Sequence, residues 1–100
     1  MKQKYLTGRS IIRAVEGRQK ELSAYGVKRI GLFGSFLKGS HSRKSDLDFI
    51  VSFSRPSFDS YMDLKFMLQR MFGRKIDLVT DSALKPALSH IKDEALYARI

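Results

Sequence analysis

Residues 46–53 read Asp-Leu-Asp-Phe-Ile-Val-Ser-Phe, and no other stretch constrains the fold as much. Leu47, Phe49, Val51 and Phe53 alternate, so an extended chain puts all four on one face. Asp46, Asp48 and Ile50 share the opposite face. A strand with one fully apolar face needs partner strands and a covering layer of helices.

The flanking sequence supplies both. Residues 28–33, Lys-Arg-Ile-Gly-Leu-Phe, read as a short strand that runs directly into Gly34-Ser35, where a strand would turn sharply into a helix start. Residues 75–80 form a third strand, with Ile76 and Leu78 facing one way and Asp77 and Val79 the other. A helix over residues 10–25 is predicted from Ile11, Ile12, Val15, Leu22 and Tyr25, with Ser10 as its cap and Gly26 just past its end. Gly17 weakens its middle by about 1 kcal/mol relative to Ala. A second helix runs from a cap at Asp59 or Ser60 to Phe72, with Tyr61, Leu64, Met67, Leu68, Met71 and Phe72 near ideal helical spacing and Gly73 ending it. After Ser82 the chain reads as mostly helical, and residues 94–99 fit either a helix or a short edge strand. The expected fold class is α/β (α+β): a small mixed sheet of three to four strands with helices packed on it, in one domain over residues 1–100.

Composition narrows the chemistry. With no Cys and only His41 and His90, a Cys-ligated or multi-histidine metal site is excluded. Metal chemistry would have to use carboxylates, and so a hard cation such as Mg²⁺ or Mn²⁺. No apolar run approaches the roughly 18–20 residues of a membrane span, and no secretory signal follows the basic N-terminus; a cytoplasmic protein is expected. Charge is uneven. Residues 1–45 carry 11 Lys plus Arg against Glu16 and Glu21, a net +9, whereas residues 46–100 carry eight of each sign and hold all seven Asp. A cationic half suits an anionic partner such as nucleotide phosphate, nucleic acid or an acidic protein, or it is a solvated face.

Three features converge on phosphate chemistry. Asp46 and Asp48 lie two apart on a strand, so their carboxylates tilt to one side. Asp77 is an acid inside another strand, where an unpaired carboxylate is costly. Three such acids facing one point repel strongly unless a cation lies between them; two Mg²⁺ ions would form the usual clamp for phosphoryl or nucleotidyl transfer. At Gly34-Ser35 the backbone can approach a phosphate closely, and the Ser35 hydroxyl adds a donor. Lys38, Arg43 and Lys44 follow, close enough to neutralise a polyphosphate. Two other phosphate loops fail: Gly34 and Gly39 have the spacing of an ATPase loop, but Ser40-His41 stands where Lys-Ser/Thr is needed, and no G-x-G-x-x-G is present.

These residues resemble a known family. The runs Ile30-Gly31-Leu32-Phe33-Gly34-Ser35-Phe36-Leu37-Lys38-Gly39, Ser45-Asp46-Leu47-Asp48-Phe49-Ile50-Val51 and Ile76-Asp77-Leu78-Val79 are similar to the minimal nucleotidyltransferases of the DNA polymerase β-like superfamily. Ten residues separate Gly34-Ser35 from Asp46-x-Asp48, the spacing of that family's G-S-x10-D-x-D signature. The resemblance covers about residues 27–80. It implies that Gly34, Ser35, Lys38, Arg43 and Ser45 bind the nucleotide, that Asp46, Asp48 and Asp77 hold two Mg²⁺ ions, and that Asp77 also activates the attacking hydroxyl. Lys38 stands where many members have Arg, and offers a point charge instead of a planar fork. The implied reaction transfers AMP from ATP to a hydroxyl, releasing pyrophosphate. Minimal members usually act as antitoxins of a helical HEPN-type ribonuclease toxin, a tyrosine of which is the acceptor.

Other readings remain open at this point. The same fold could serve as a binding module that neutralises a partner protein, or that binds nucleic acid through its basic half. Transfer to a small molecule is disfavoured, because no second domain is left to form an acceptor pocket. The Met and Phe residues of 61–72 read as core, His41 and His90 as surface, and Tyr5, Tyr25, Tyr61 and Tyr97 as packing residues.

Overall fold

The computed structural model describes residues 6–39 and 46–100. Helices α1 (Gly8–Glu16) and α2 (Gln19–Ala24) precede strand β1 (Val27–Phe33) and a single helical turn, α3 (Ser35–Lys38). Strand β2 (Leu47–Phe53), helix α4 (Phe58–Phe72) and strand β3 (Ile76–Thr80) follow. Two 3-10 turns, Asp81–Ala83 and Pro86–Leu88, lead to α5 (His90–Glu94) and the short strand β4 (Leu96–Tyr97). The sheet order is β3-β2-β1-β4. β1 runs antiparallel to β2 and β4, while β2 and β3 are parallel, joined by α4. This is the small mixed α/β sheet expected from the sequence, with four strands.

The helical segments differ from the sequence reading in four respects. The helix expected over residues 10–25 is two helices, because Gly17 ends α1 with its N–H shared between the carbonyls of Arg13 and Ala14, and the chain restarts at Arg18. Its cap is Thr7, not Ser10. The Thr7 hydroxyl accepts from the Ser10 N–H at 3.1 Å and the Ser10 hydroxyl accepts from the Thr7 N–H at 2.9 Å, a reciprocal pair that satisfies two donors the helix start would leave open. Likewise α4 starts at Phe58, because the Ser57 side chain accepts from the Ser60 N–H. The stretch after Ser82 is less helical than expected, because Pro86 disfavours helical backbone at Lys85, which is extended with ψ 153°.

The core lies between one face of the sheet and the helices. Ile11, Ile12, Val15 and Leu22 of α1 and α2 and Leu64, Met67 and Leu68 of α4 bury themselves against Ile30, Leu32, Leu47, Phe49, Val51, Phe53, Ile76 and Leu78. Leu47, Phe49, Val51 and Phe53 thus share the covered face, as their alternation requires. Ile50, on the other face, is only 1% exposed yet lies outside this cluster. It pairs with Gly31 of β1, which in turn pairs with Tyr97, and a Cβ on Gly31 would come within 2.8 Å of the Tyr97 ring. The C-terminal segment therefore covers the second face beside Ile50, and the acids begin two residues earlier along the same strand.

Candidate active site

β1 delivers the chain to Gly34, whose φ of +81° and ψ of −153° belong to a region that only glycine occupies readily. A second constraint acts at the same atom. A Cβ on Gly34 would collide with the Asp48 carboxylate, so that carboxylate rests directly against the Gly34 α-carbon. Phe33 pairs with Asp48 across β1 and β2, which fixes the contact in register. Ser35 opens α3, whose one turn is closed by the Lys38 N–H on the Gly34 carbonyl at 3.1 Å and ended by Gly39 in the left-handed conformation. The first N–H groups of a helical turn have no partner within that turn. Ser35 is half-buried and Lys38 exposed.

Asp48 and Asp77 are direct partners across the parallel β2–β3 pair. Side chains at paired positions project from the same face, and the two carboxyl groups lie close enough for a hydrogen bond when one of them is protonated. The Asp48 pKa is pushed up from 3.8 to about 6, first by burial, then by the negative charge of Asp77 and the hydrogen bond to it, and least by Asp46. Mutual repulsion between the two acids is thus one of the causes that hold the Asp48 pKa up. Asp46, half-buried just before β2, adds to the field without joining that hydrogen bond. Tyr61 of α4 donates its hydroxyl to the Leu78 carbonyl at 2.5 Å, next to Asp77 in β3, and its pKa is raised by burial and by the Asp77 charge. The sequence suggested only packing for Tyr61; the hydrogen bond also anchors the strand that carries Asp77.

The structure therefore brings together Gly34, Ser35, Asp48 and Asp77, with Asp46 beside them and Lys38 at the far end of the turn. Arg43 and Ser45, and with them His41 and Lys44, lie outside the described residues. Among the described residues, no three acidic or histidine side chains close into a ready-made metal cage. The donor set nonetheless fits Mg²⁺: it is all carboxylate oxygen, and a divalent cation would offset the repulsion between Asp48 and Asp77. Sequence reasoning passed over Arg74, whose guanidinium stands 5.1 Å from the centroid of the Phe36 ring, beside the turn. Its only sequence signal is its place just ahead of the strand that carries Asp77.

A family model described as "Nucleotidyltransferase domain" matches residues 11–100. The chain belongs to this family. This nucleotidyltransferase is 35% identical over 86 residues to the protein adenylyltransferase MntA of Thermococcus cleftensis, an alignment covering 84% of this chain and 87% of that protein. It superposes on the structure of a presumed minimal nucleotidyltransferase with a TM-score of 0.78 at 25% identity, over 94% of this chain and 98% of the other. It also matches a toxin–antitoxin crystal structure with AMP-PNP, with a TM-score of 0.59 and 26% identity, over 73% of this chain and 62% of that one. Among the described residues, no helix is long and apolar enough to cross a membrane.

Proposed function

We propose that this nucleotidyltransferase transfers AMP from ATP to a tyrosine hydroxyl of a cognate HEPN-type toxin and acts as that toxin's antitoxin. The observation that carries this reading is the Asp48–Asp77 pair, held in register against the Gly34-Ser35 turn. Likeness to the protein adenylyltransferase MntA, and to a toxin–antitoxin structure with AMP-PNP, supports the nucleotide and the kind of partner. One domain over residues 1–100 carries the site, and the need for ATP fits a cytoplasmic location.

In this reading the Gly34 turn and the Ser35 hydroxyl receive the triphosphate, with Lys38, Arg43 and Ser45 as further nucleotide-binding residues. Asp46, Asp48 and Asp77 would hold two Mg²⁺ ions, which when bound neutralise charge on the phosphates and on the departing pyrophosphate. The acceptor oxygen forms a bond to the α-phosphorus, the bond to the bridging oxygen of the β-phosphate breaks, and pyrophosphate leaves. Asp77 takes the hydroxyl proton; it is exposed at the strand surface, where an incoming side chain can reach it.

The test is to mix the chain with the toxin, ATP and Mg²⁺ and to weigh the intact proteins. Stepwise gain of AMP units on the toxin, lost when its acceptor tyrosines are changed to Phe, is the expected result. A toxin inhibited one-to-one without any mass gain would replace this reading with that of a binding module.

A further inference from the structure

β3 and β1 are not neighbours in the sheet, because β2 lies between them. The Asp77 strand and the Gly34-Ser35 turn are therefore held at their spacing only indirectly by the backbone ladder. Arg74 spans that gap. It is half-buried between Gly73, whose left-handed conformation ends α4, and the start of β3. Its guanidinium carbon lies 5.1 Å from the centroid of the Phe36 ring, within cation–π range. Phe36 follows Ser35 directly and is only 3% exposed, so its ring is fixed by the core. The Lys75 carbonyl accepts the Leu47 N–H at 3.1 Å, which ties the same end of β3 to β2.

We propose that Arg74 is a positioning residue of the nucleotide site, acting through Phe36 to fix the Gly34-Ser35 turn relative to the strand that bears Asp77. The inference rests on the function proposed above. A planar guanidinium suits the role, because it stacks on a ring while keeping its charge, which also favours an anionic triphosphate at this end of the sheet.

The experiment compares wild type with Arg74→Gln, Arg74→Lys and Phe36→Leu. In nucleotide-free Arg74→Gln, amide hydrogen exchange across Ser35–Lys38 should speed up by about three- to tenfold, with a fall in melting temperature of no more than about 10 °C. KM for ATP should rise by a similar factor while kcat at saturating ATP stays within about twofold, the pattern of weakened binding without damage to the chemical step. Arg74→Lys should recover only part of both effects, because an ammonium keeps the charge over the ring but loses the planar stack. Phe36→Leu should reproduce them, and adding Arg74→Gln to it should change little further. Unchanged exchange and unchanged KM in Arg74→Gln would overturn the proposal. So would a loss in Arg74→Gln that Phe36→Leu, still folded, does not share. If wild type neither binds ATP nor transfers AMP, the proposed function falls, and the exchange comparison still decides whether Arg74 holds the turn.

Discussion

The two faces of β2 do different work with residues one position apart. On the covered face, Leu47, Phe49, Val51 and Phe53 are each no more than 8% exposed and supply much of the packing between sheet and helices. On the other face, Asp48 sits against Gly34 and beside Asp77, an arrangement less favourable than separated carboxylates in water. The covered face supplies the rigidity that keeps the acids together, so changes to the two faces should separate stability from activity. The largest expected effect is on the acid side. Asp77→Asn should keep ATP binding and lose transfer by about 10²- to 10⁴-fold, the usual contribution of a positioned base. Asp46→Asn and Asp48→Asn should instead lose metal-dependent ATP binding itself. Transfer of AMP by Asp77→Asn at the wild-type rate would remove Asp77 as the base.

On the covered face the effect should be on folding alone. Phe49 is fully buried and stacks near Phe72, with ring centroids 6.2 Å apart. Phe49→Ala should cost about 3–5 kcal/mol in chemical denaturation, a large part of the stability of a domain this size. Whatever fraction stays folded should still bind Mg-ATP. Loss of binding by folded Phe49→Ala would mean that the two faces are not separable. A smaller effect comes from ligand. Because a cation and a triphosphate would relieve the Asp48–Asp77 repulsion, Mg-ATP at about 100 times its Kd should stabilise wild type by about 2.7 kcal/mol. This corresponds to a rise on the order of 10 °C in Tm. EDTA should abolish the rise, and a flat thermal shift at millimolar Mg-ATP would count against a nucleotide site.

Much of this contrast can be read in the sequence. Alternation of Leu47, Phe49, Val51 and Phe53 fixes which side chains of β2 face the helices, despite the apolar Ile50 on the other face, and an acid between Ile76 and Leu78 marks β3 as more than a packing strand. Gly73 marks the end of α4 because a left-handed residue is required there. What could not be read depends on contacts between distant parts of the chain or on small local balances. The break at Gly17 and Arg18 turns on about 1 kcal/mol of helix propensity, less than tertiary packing readily overrides. The requirement for glycine at position 34 looks like a simple turn until β1 and β2 are placed in register and the Asp48 carboxylate is seen to occupy the space of a Cβ. The Arg74–Phe36 contact joins residues far apart in sequence, and neither stands in a periodic pattern that would announce it.

The smallest effect has a sign that runs against intuition, since removing a charged site residue should stabilise the free protein. Asp48 has a folded-state pKa of about 6 against 3.8 for a free carboxyl. Between those values the folded state binds more protons than the unfolded state, so stability falls as pH rises, and above about pH 6 the penalty is complete. Burial leads the causes, and Asp48 keeps some solvent contact, so the penalty at pH 7 is about 1–2 kcal/mol after screening is allowed for. Asp48→Asn removes it. In metal-free buffer the variant should be more stable than wild type by that amount at pH 7.5, and no more stable at about pH 2.5, where the carboxyl is protonated in both states. Adding Mg-ATP at pH 7.5 should reverse the order, because wild type gains ligand binding and the variant does not. Denaturation curves at the two pH values, with and without Mg-ATP, give all the differences needed. If Asp48→Asn were destabilised equally at both pH values, Asp48 would be part of the packing, and the difference between the two faces of β2 would be one of exposure and not of function.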